Sequence, residues 1–139
     1  MNFEEIESTI RKILSEKDEI ISAYIYGSFI HSEFYKDIDI GLLISDGFKP
    51  EALYEAKIAR KLEKEMKNIF NIFKPVDIRV LNGKHLRFLF SVLKNSKIVY
   101  SSNDLKRIQF EARIIKEYLD FKPHYEIYDN MRRLRYANR

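Results

Sequence analysis

The residues best suited to chemistry in this 139-residue chain are the pair Gly27-Ser28, the aspartates Asp37 and Asp39, and a third aspartate, Asp77. Gly27-Ser28 closes the β-forming run IISAYIY, and the two aspartates open a second run, DIDIGLLI, after the eight residues FIHSEFYK. Carboxylates are costly in an apolar strand unless something binds them. Side chains at i and i+2 of a strand share a face, so Asp37 and Asp39 project together while Ile38 and Ile40 point into the core. Their Cα atoms would stand about 6 to 7 Å apart, which lets the carboxylates converge on cations about 3.5 to 4 Å from each other. Magnesium suits such a site, because it takes hard oxygen ligands, keeps several waters and is commonly shared with substrate phosphates. Gly27 permits close backbone approach to a ligand, and the N–H groups and hydroxyl of a strand-to-helix turn at Ser28 suit a phosphate. Asp77, the only acidic residue between Glu65 and Asp104, lies in a third β-run, VDIRVL. Paired beside the second run, it would complete a three-carboxylate cluster and be placed to take a proton from an attacking hydroxyl.

The elements that must position these groups are readable from periodicity. Phe3, Ile6, Ile10, Ile13 and Leu14 recur at helical spacing, which predicts a first helix from Asn2 to Lys17. Tyr54, Ile58, Leu62, Met66, Ile69 and Phe73 do the same from Leu53 to Phe73, between Pro50 and Pro75. Asn82-Gly83 turns the chain after the third strand, His85 to Leu93 reads as helix, and KIVY as a short strand. Ser102 or Asn103 caps a helix to Leu119, and Pro123 separates it from a final basic helix running toward Arg139. The order α-β-(turn or short helix)-β-α-β-α-β-α-α implies an α+β (α/β) domain with a small mixed sheet and flanking helices. The expected organisation is a core over residues 1–101 and a helical extension of the same domain over 102–139.

Composition bounds what such a domain can be. Hydrophobic residues make up 45% and charged residues 33%, the balance of a soluble globular protein. With no cysteine, disulfides and thiolate zinc sites are excluded. No apolar run nears the length of about 20 residues that spans a bilayer, and the acidic start MNFEEIE is unlike a signal peptide, so no membrane is expected and the cytoplasm is the expected address. The net charge of +4 is unevenly spread. Residues 1–83 carry 12 Lys and Arg against 15 Asp and Glu, a net of −3, and residues 84–139 carry 13 against 6, a net of +7. The basic half suits a polyanion or an acidic partner, or simply solvates helix faces.

Each residue also has a plainer reading. Asp37 and Asp39 can be strand-end carboxylates facing water, Ser28 a helix cap, His31 an exposed loop residue and Lys36 a solvated neighbour of the first aspartate. Arg79 shares the face of Asp77 by alternation, either as its ion-pair partner or as a substrate contact. Phe88, Phe90, Phe110, Tyr118 and Phe121 read as packing rather than base stacking. Arg132, Arg133, Arg135 and Tyr136 read as a partner or RNA contact or as a basic helix end.

Gly-Ser, a spacer, Asp-x-Asp and a further Asp in a later strand together resemble the nucleotidyltransferase superfamily whose catalytic fold is shared with DNA polymerase β. The short length, NSKIVYSSND and the helical tail make the chain most similar to the minimal nucleotidyltransferase (MNT) branch. Members of that branch act as antitoxins of HEPN-domain toxin ribonucleases, and some transfer AMP from ATP to a tyrosine of the toxin. The resemblance implies that Gly27, Ser28 and Lys36 bind the nucleoside triphosphate. It implies also that Asp37, Asp39 and Asp77 ligate two Mg2+ ions, Asp77 serving in addition as general base. ATP is the implied substrate and a HEPN-type toxin the implied partner, with homo- or hetero-oligomers open and a nucleic-acid partner not favoured. The spacer FIHSEFYK is shorter than is common in the family and lacks its arginine and glycine, which leaves His31, Ser32 and Lys36 to meet phosphate oxygens. Two further readings stand beside the protein-modifying enzyme: a module that neutralises a toxin by contact alone, and a small-molecule nucleotidyltransferase.

Overall fold

Alternating apolar residues in four short runs pair into one sheet, and the amphipathic helices between them cover both of its faces. The computed structural model describes residues 3–137. Strands β1 (Ile20–Tyr26), β2 (Ile38–Ile44), β3 (Val76–Val80) and β4 (Lys97–Ser101) lie in the order β3-β2-β1-β4. β1 is antiparallel to β2 and to β4, whereas β2 and β3 are parallel, so the sheet is mixed as expected. Parallel neighbours cannot be joined by a tight turn. The crossover is supplied by a helix, α3 (Tyr54–Phe70).

One face of the sheet buries Ile25, Ile38, Ile40, Leu42, Ile44 and Ile78 against α1 (Phe3–Leu14) and α3. The other carries Tyr24, Leu43 and Leu81 beneath Leu89 and Val92 of α4 (Leu86–Lys94) and Phe110 and Ile114 of α5 (Asp104–Ala137). Gly41 makes that second face fit: a Cβ there would press on the Leu81 methyl at 2.9 Å. Both sheet edges are occupied by side chains, which discourages pairing with other strands. The Val76 and Val80 N–H groups donate to Glu63 and Glu55 of α3 at 2.9 and 2.7 Å. On the opposite edge Arg11 Nε donates to the Val99 carbonyl at 3.0 Å and Lys97 Nζ lies 2.6 Å from Glu7 Oε1.

Several boundaries differ from those predicted. α1 ends at Leu14 rather than Lys17, while the expected ends at Asn2 and Arg139 lie outside the described residues. α3 stops at Phe70 because Asn71 adopts a left-handed backbone (φ 55°) and its N–H returns to the Lys67 carbonyl at 3.1 Å. The redirected chain buries Ile72 and leaves Ile69 and Phe73 exposed, although both had matched the helical stripe. Ser28–His31 forms a one-turn helix, α2, and β2 begins at Ile38, with Asp37 at its entry. Phe90 and Tyr118 stack at 3.7 Å as expected of packing residues, but Phe121 is exposed. No described helix is long and apolar enough to cross a membrane.

The largest correction concerns the C-terminal region. Instead of two helices separated by Pro123, α5 is one helix of 34 residues that runs through the proline. Proline in a helix interior removes one hydrogen bond and clashes with the preceding turn. Contacts on either side of it hold the helix together. Before the proline Tyr118 stacks on Phe90; after it Arg87 lies 4.6 Å from the Tyr125 ring and pairs with Asp129 at 2.9 Å. Because the native helix bears this defect, Pro123→Ala should stabilise the protein by about 1 to 3 kcal/mol, read as a higher denaturation midpoint. A helix that ended before residue 123 would give no gain.

Candidate active site

The register of three strands assembles the site. Tyr26 of β1 lies opposite Asp39 of β2, and Asp39 lies opposite Asp77 of β3. Neighbouring residues in a row across a sheet project to the same side. Tyr26, Asp39 and Asp77 therefore form one row, on the side away from buried Ile25, Ile40 and Ile78, and Asp37 joins them two residues upstream of Asp39. The Asp37 charge acts directly on the Asp39 carboxyl, so the two lie close together.

Gly27 ends β1 with φ 78° and ψ −159°, a backbone that L side chains rarely adopt. A Cβ at this position would collide with Asp39 Oδ2, so the backbone of Gly27 lies directly against that carboxylate. Ser28 opens α2 beside it and is exposed. The spacer that follows is held by aromatic rings: Phe29 is buried, packing on Phe3 at 5.2 Å and on Tyr35 at 4.7 Å. Lys36 is exposed at the end of the spacer, next to Asp37. His31 is exposed as well, and the exposed Ser32 hydroxyl accepts the Phe34 N–H at 3.0 Å.

The electrostatics follow from this crowding. Burial, and then the charges of Asp37 and Asp77, push the Asp39 carboxyl up to about 6. Arg79 opposes the rise, and its Nε donates to Asp77 Oδ2 at 3.1 Å while the guanidinium lies 5.6 Å from the Phe88 ring. The sequence had left Arg79 as ion-pair partner or substrate contact; here it pairs with Asp77. Burial likewise pushes the Tyr26 phenol up to about 12, so it remains a proton donor at neutral pH. The site thus sets Asp39 between the charges of Asp37 and Asp77, with one guanidinium, Arg79, paired to Asp77, a surplus of negative charge that attracts cations and can accept a proton. Among the described residues, no three His, Cys, Asp or Glu side chains are already closed into a metal-ligand group.

Tyr26 and Phe88 border the site; Tyr26 was not singled out from sequence, and Phe88 was read there only as a packing residue. Tyr26 was findable, since it precedes Gly27 on the strand face opposite Ile25. Phe88 reaches Tyr26 edge-on at 6.2 Å only because α4 folds back over β1, which no local pattern announces.

Residues 8–105 match the protein family described as Polymerase beta, Nucleotidyltransferase. No curated protein sequence is a significant match. Similar solved structures include a chain from the complex of a tri-AMPylated Shewanella oneidensis HEPN toxin with its MNT antitoxin, with a TM-score of 0.68 and 21% identity over 92% of this chain and 97% of that one. A chain of the MntA–HepT toxin–antitoxin structure has a TM-score of 0.68 and 19% identity, over 92% of this chain and 97% of the other. A toxin–antitoxin structure with AMP-PNP gives 0.69 and 20%, over 90% and 97%. At these identities the likeness shows a shared fold.

Two substitutions test the geometry. Gly27→Ala should destabilise the protein by about 1 to 3 kcal/mol, since it adds both a disfavoured φ and a collision with Asp39. For Asp39, the raised value means that its charge opposes folding. That cost is absent below the ordinary carboxylate value of 3.8, grows as the pH rises from there, and is complete above about 6. Asp39→Asn should therefore raise the melting temperature at pH 7.5, by a stability increment of about 1 kcal/mol after allowing for solvent screening, and the gain should vanish near pH 4. A gain equal at both pH values would show that charge repulsion is not its source.

Proposed function

This chain belongs to the polymerase beta nucleotidyltransferase family, and on that premise we propose that it transfers AMP from ATP to a hydroxyl acceptor, a tyrosine of a HEPN-type toxin that it silences as antitoxin. The observation that carries this reading is the row Tyr26–Asp39–Asp77, with Asp37 alongside and the Gly27 backbone against Asp39. The solved complex of an MNT antitoxin with a tri-AMPylated HEPN toxin, similar in fold, supports the choice of partner and of transferred group.

Two Mg2+ ions are the cofactor this reading assigns. The residues fit them: Asp37, Asp39 and Asp77 offer only hard carboxylate oxygens, and the repulsion that raises Asp39 is what a divalent cation would relieve. Magnesium bound there would neutralise charge on the reacting phosphate and on the departing pyrophosphate. The chain's own groups do the rest. Gly27 and Ser28, at the turn from β1 into α2 and against Asp39, receive the triphosphate, and Lys36 meets it from the end of the spacer. Asp77 takes the proton of the acceptor hydroxyl as its oxygen attacks the α-phosphorus and the bond to the bridging oxygen breaks. Arg79 holds the Asp77 carboxylate in place until the substrate arrives. An ATP substrate is consistent with a cytoplasmic address.

A second reading, neutralisation by contact without turnover, draws on the spacer, where exposed Glu33 faces the solvent and rings of Phe29 and Tyr35 stand in place of an arginine anchor. Purified chain, α-labelled ATP, magnesium and a candidate HEPN-type partner protein distinguish the two. Label on that protein, reduced by about 100-fold or more in Asp37→Asn and Asp39→Asn and abolished by EDTA, is the expected result. Neutralisation by the wild type and by both variants with no label on the partner would sink the transferase reading and leave contact alone.

A further inference from the structure

α5 packs on the body of the protein through Phe110, Ile114 and Tyr118 and turns its opposite side to water. A surface helix with nothing further to bind is polar on that side. Here the outward residues are Leu105, Ile108, Ala112, Ile115 and Leu119, at i, i+3, i+7, i+10 and i+14. The four large ones are between 42% and 68% exposed. Alternating steps of three and four residues make the seam of a coiled coil, a surface complementary to another helix rather than to a sheet or an extended peptide.

Charge selects the occupant. Lys106, Gln109, Arg113, Lys116 and Asp120 line one flank of the stripe and are all exposed, three cations against one carboxylate, while Asp104 and Glu111 on the other flank are both paired with Arg107. Arg113 pairs with Glu117 at 3.5 Å, whereas Lys106 and Lys116 enter no ion pair among the described residues. Two copies of α5 packed antiparallel about Ala112 would set these cations against their own counterparts, at a cost in repulsion. A partner helix with acidic residues on the flank that meets Lys106 and Lys116 would be attracted instead.

We propose that this stripe is the docking seam for one α-helix of the acceptor protein, apolar at heptad spacing and acidic on the flank that meets Lys106 and Lys116. The inference rests on the proposed action upon a partner protein and adds how that partner is held. Docking and transfer then use separate residues: the seam lies on α5 and the carboxylates on β2 and β3. Holding the acceptor by a seam raises its concentration at the carboxylates and so supports transfer without taking part in it.

The test uses the full chain and a candidate HEPN-type partner protein. Ile108→Glu combined with Ile115→Glu alters two exposed side chains, so circular dichroism, melting and ATP binding should match the wild type. Affinity for the partner should fall by about 30-fold or more. Label transfer should show a raised KM for the partner with kcat retained at saturation. Lys116→Glu should weaken binding less and flatten its salt dependence. Partner affinity of the double variant within about twofold of wild type would overturn the seam. So would a self-associated wild type that the double variant dissociates while still binding the partner, since the seam would then join two copies. A complex that depends on the seam but carries no label would leave the docking intact and sink the transferase reading. Absence of any complex with the wild type would sink both.

Discussion

Asp39 stands between Tyr26 and Asp77 because the strands can pair in only one register. The adjacent row, Ile25–Ile40–Ile78, points the other way and is buried under α1 and α3. A slip of one residue in β2 would turn that strand over, sending Asp37 and Asp39 toward the core and Ile38, Ile40 and Ile44 into water. Burying an isoleucine contributes about 1.5 to 3 kcal/mol, so three outweigh the repulsion expressed at Asp39, which is about 1 kcal/mol once screened. The core therefore holds the carboxylates together against their own charge, and the site exists because hydrophobic packing on the opposite face leaves them no other position.

Space at the site is created by absent side chains and bounded by rings. Gly27 lets the end of β1 lie against Asp39, and Gly41 makes room for Leu81 to fill the second core. Between Gly27 and Asp37 the chain must leave one strand and enter its antiparallel neighbour within a short spacer. Phe29 and Tyr35, packed on each other and, through Phe29, on Phe3, anchor both ends of it. Arg79 and Phe88 close the side toward α4, where the guanidinium is shared between an aspartate and an aromatic face. The acidic centre is thus bordered by groups that are themselves immobilised, as a site that positions a reaction requires.

α5 joins the two halves of the charge distribution. Its inner side completes the core through Phe110 and Ile114, and its length carries the chain past Pro123 to a basic end. The Arg87–Asp129 pair and the ring contacts of Tyr118 and Tyr125 are made with α4, so the helix that wards the site also keeps α5 continuous. Outside these contacts the helix shows solvent an apolar stripe that the body of the protein does not cover.

The sequence by itself determined the strands, the sharing of one face by Asp37 and Asp39, and the likeness to a nucleotidyltransferase, because a period of two and a Gly-Ser/Asp-x-Asp spacing are local properties. It determined the mixed α+β class for the same reason, since the order of elements is written along the chain. The tertiary structure decided what depends on distant neighbours. It set Asp77 beside Asp39 by parallel pairing, brought Tyr26 and Phe88 to the site, and gave Arg79 to Asp77. It ended α3 at a left-handed Asn71, where the helical stripe would have run on to Phe73, because burying Ile72 required the chain to turn. It also carried α5 through Pro123, where the local rule called for a break. A proline's cost is confined to one turn, and the helix continues past it with contacts to α4 on both sides, Tyr118 on Phe90 before it and Tyr125 and Asp129 with Arg87 after it.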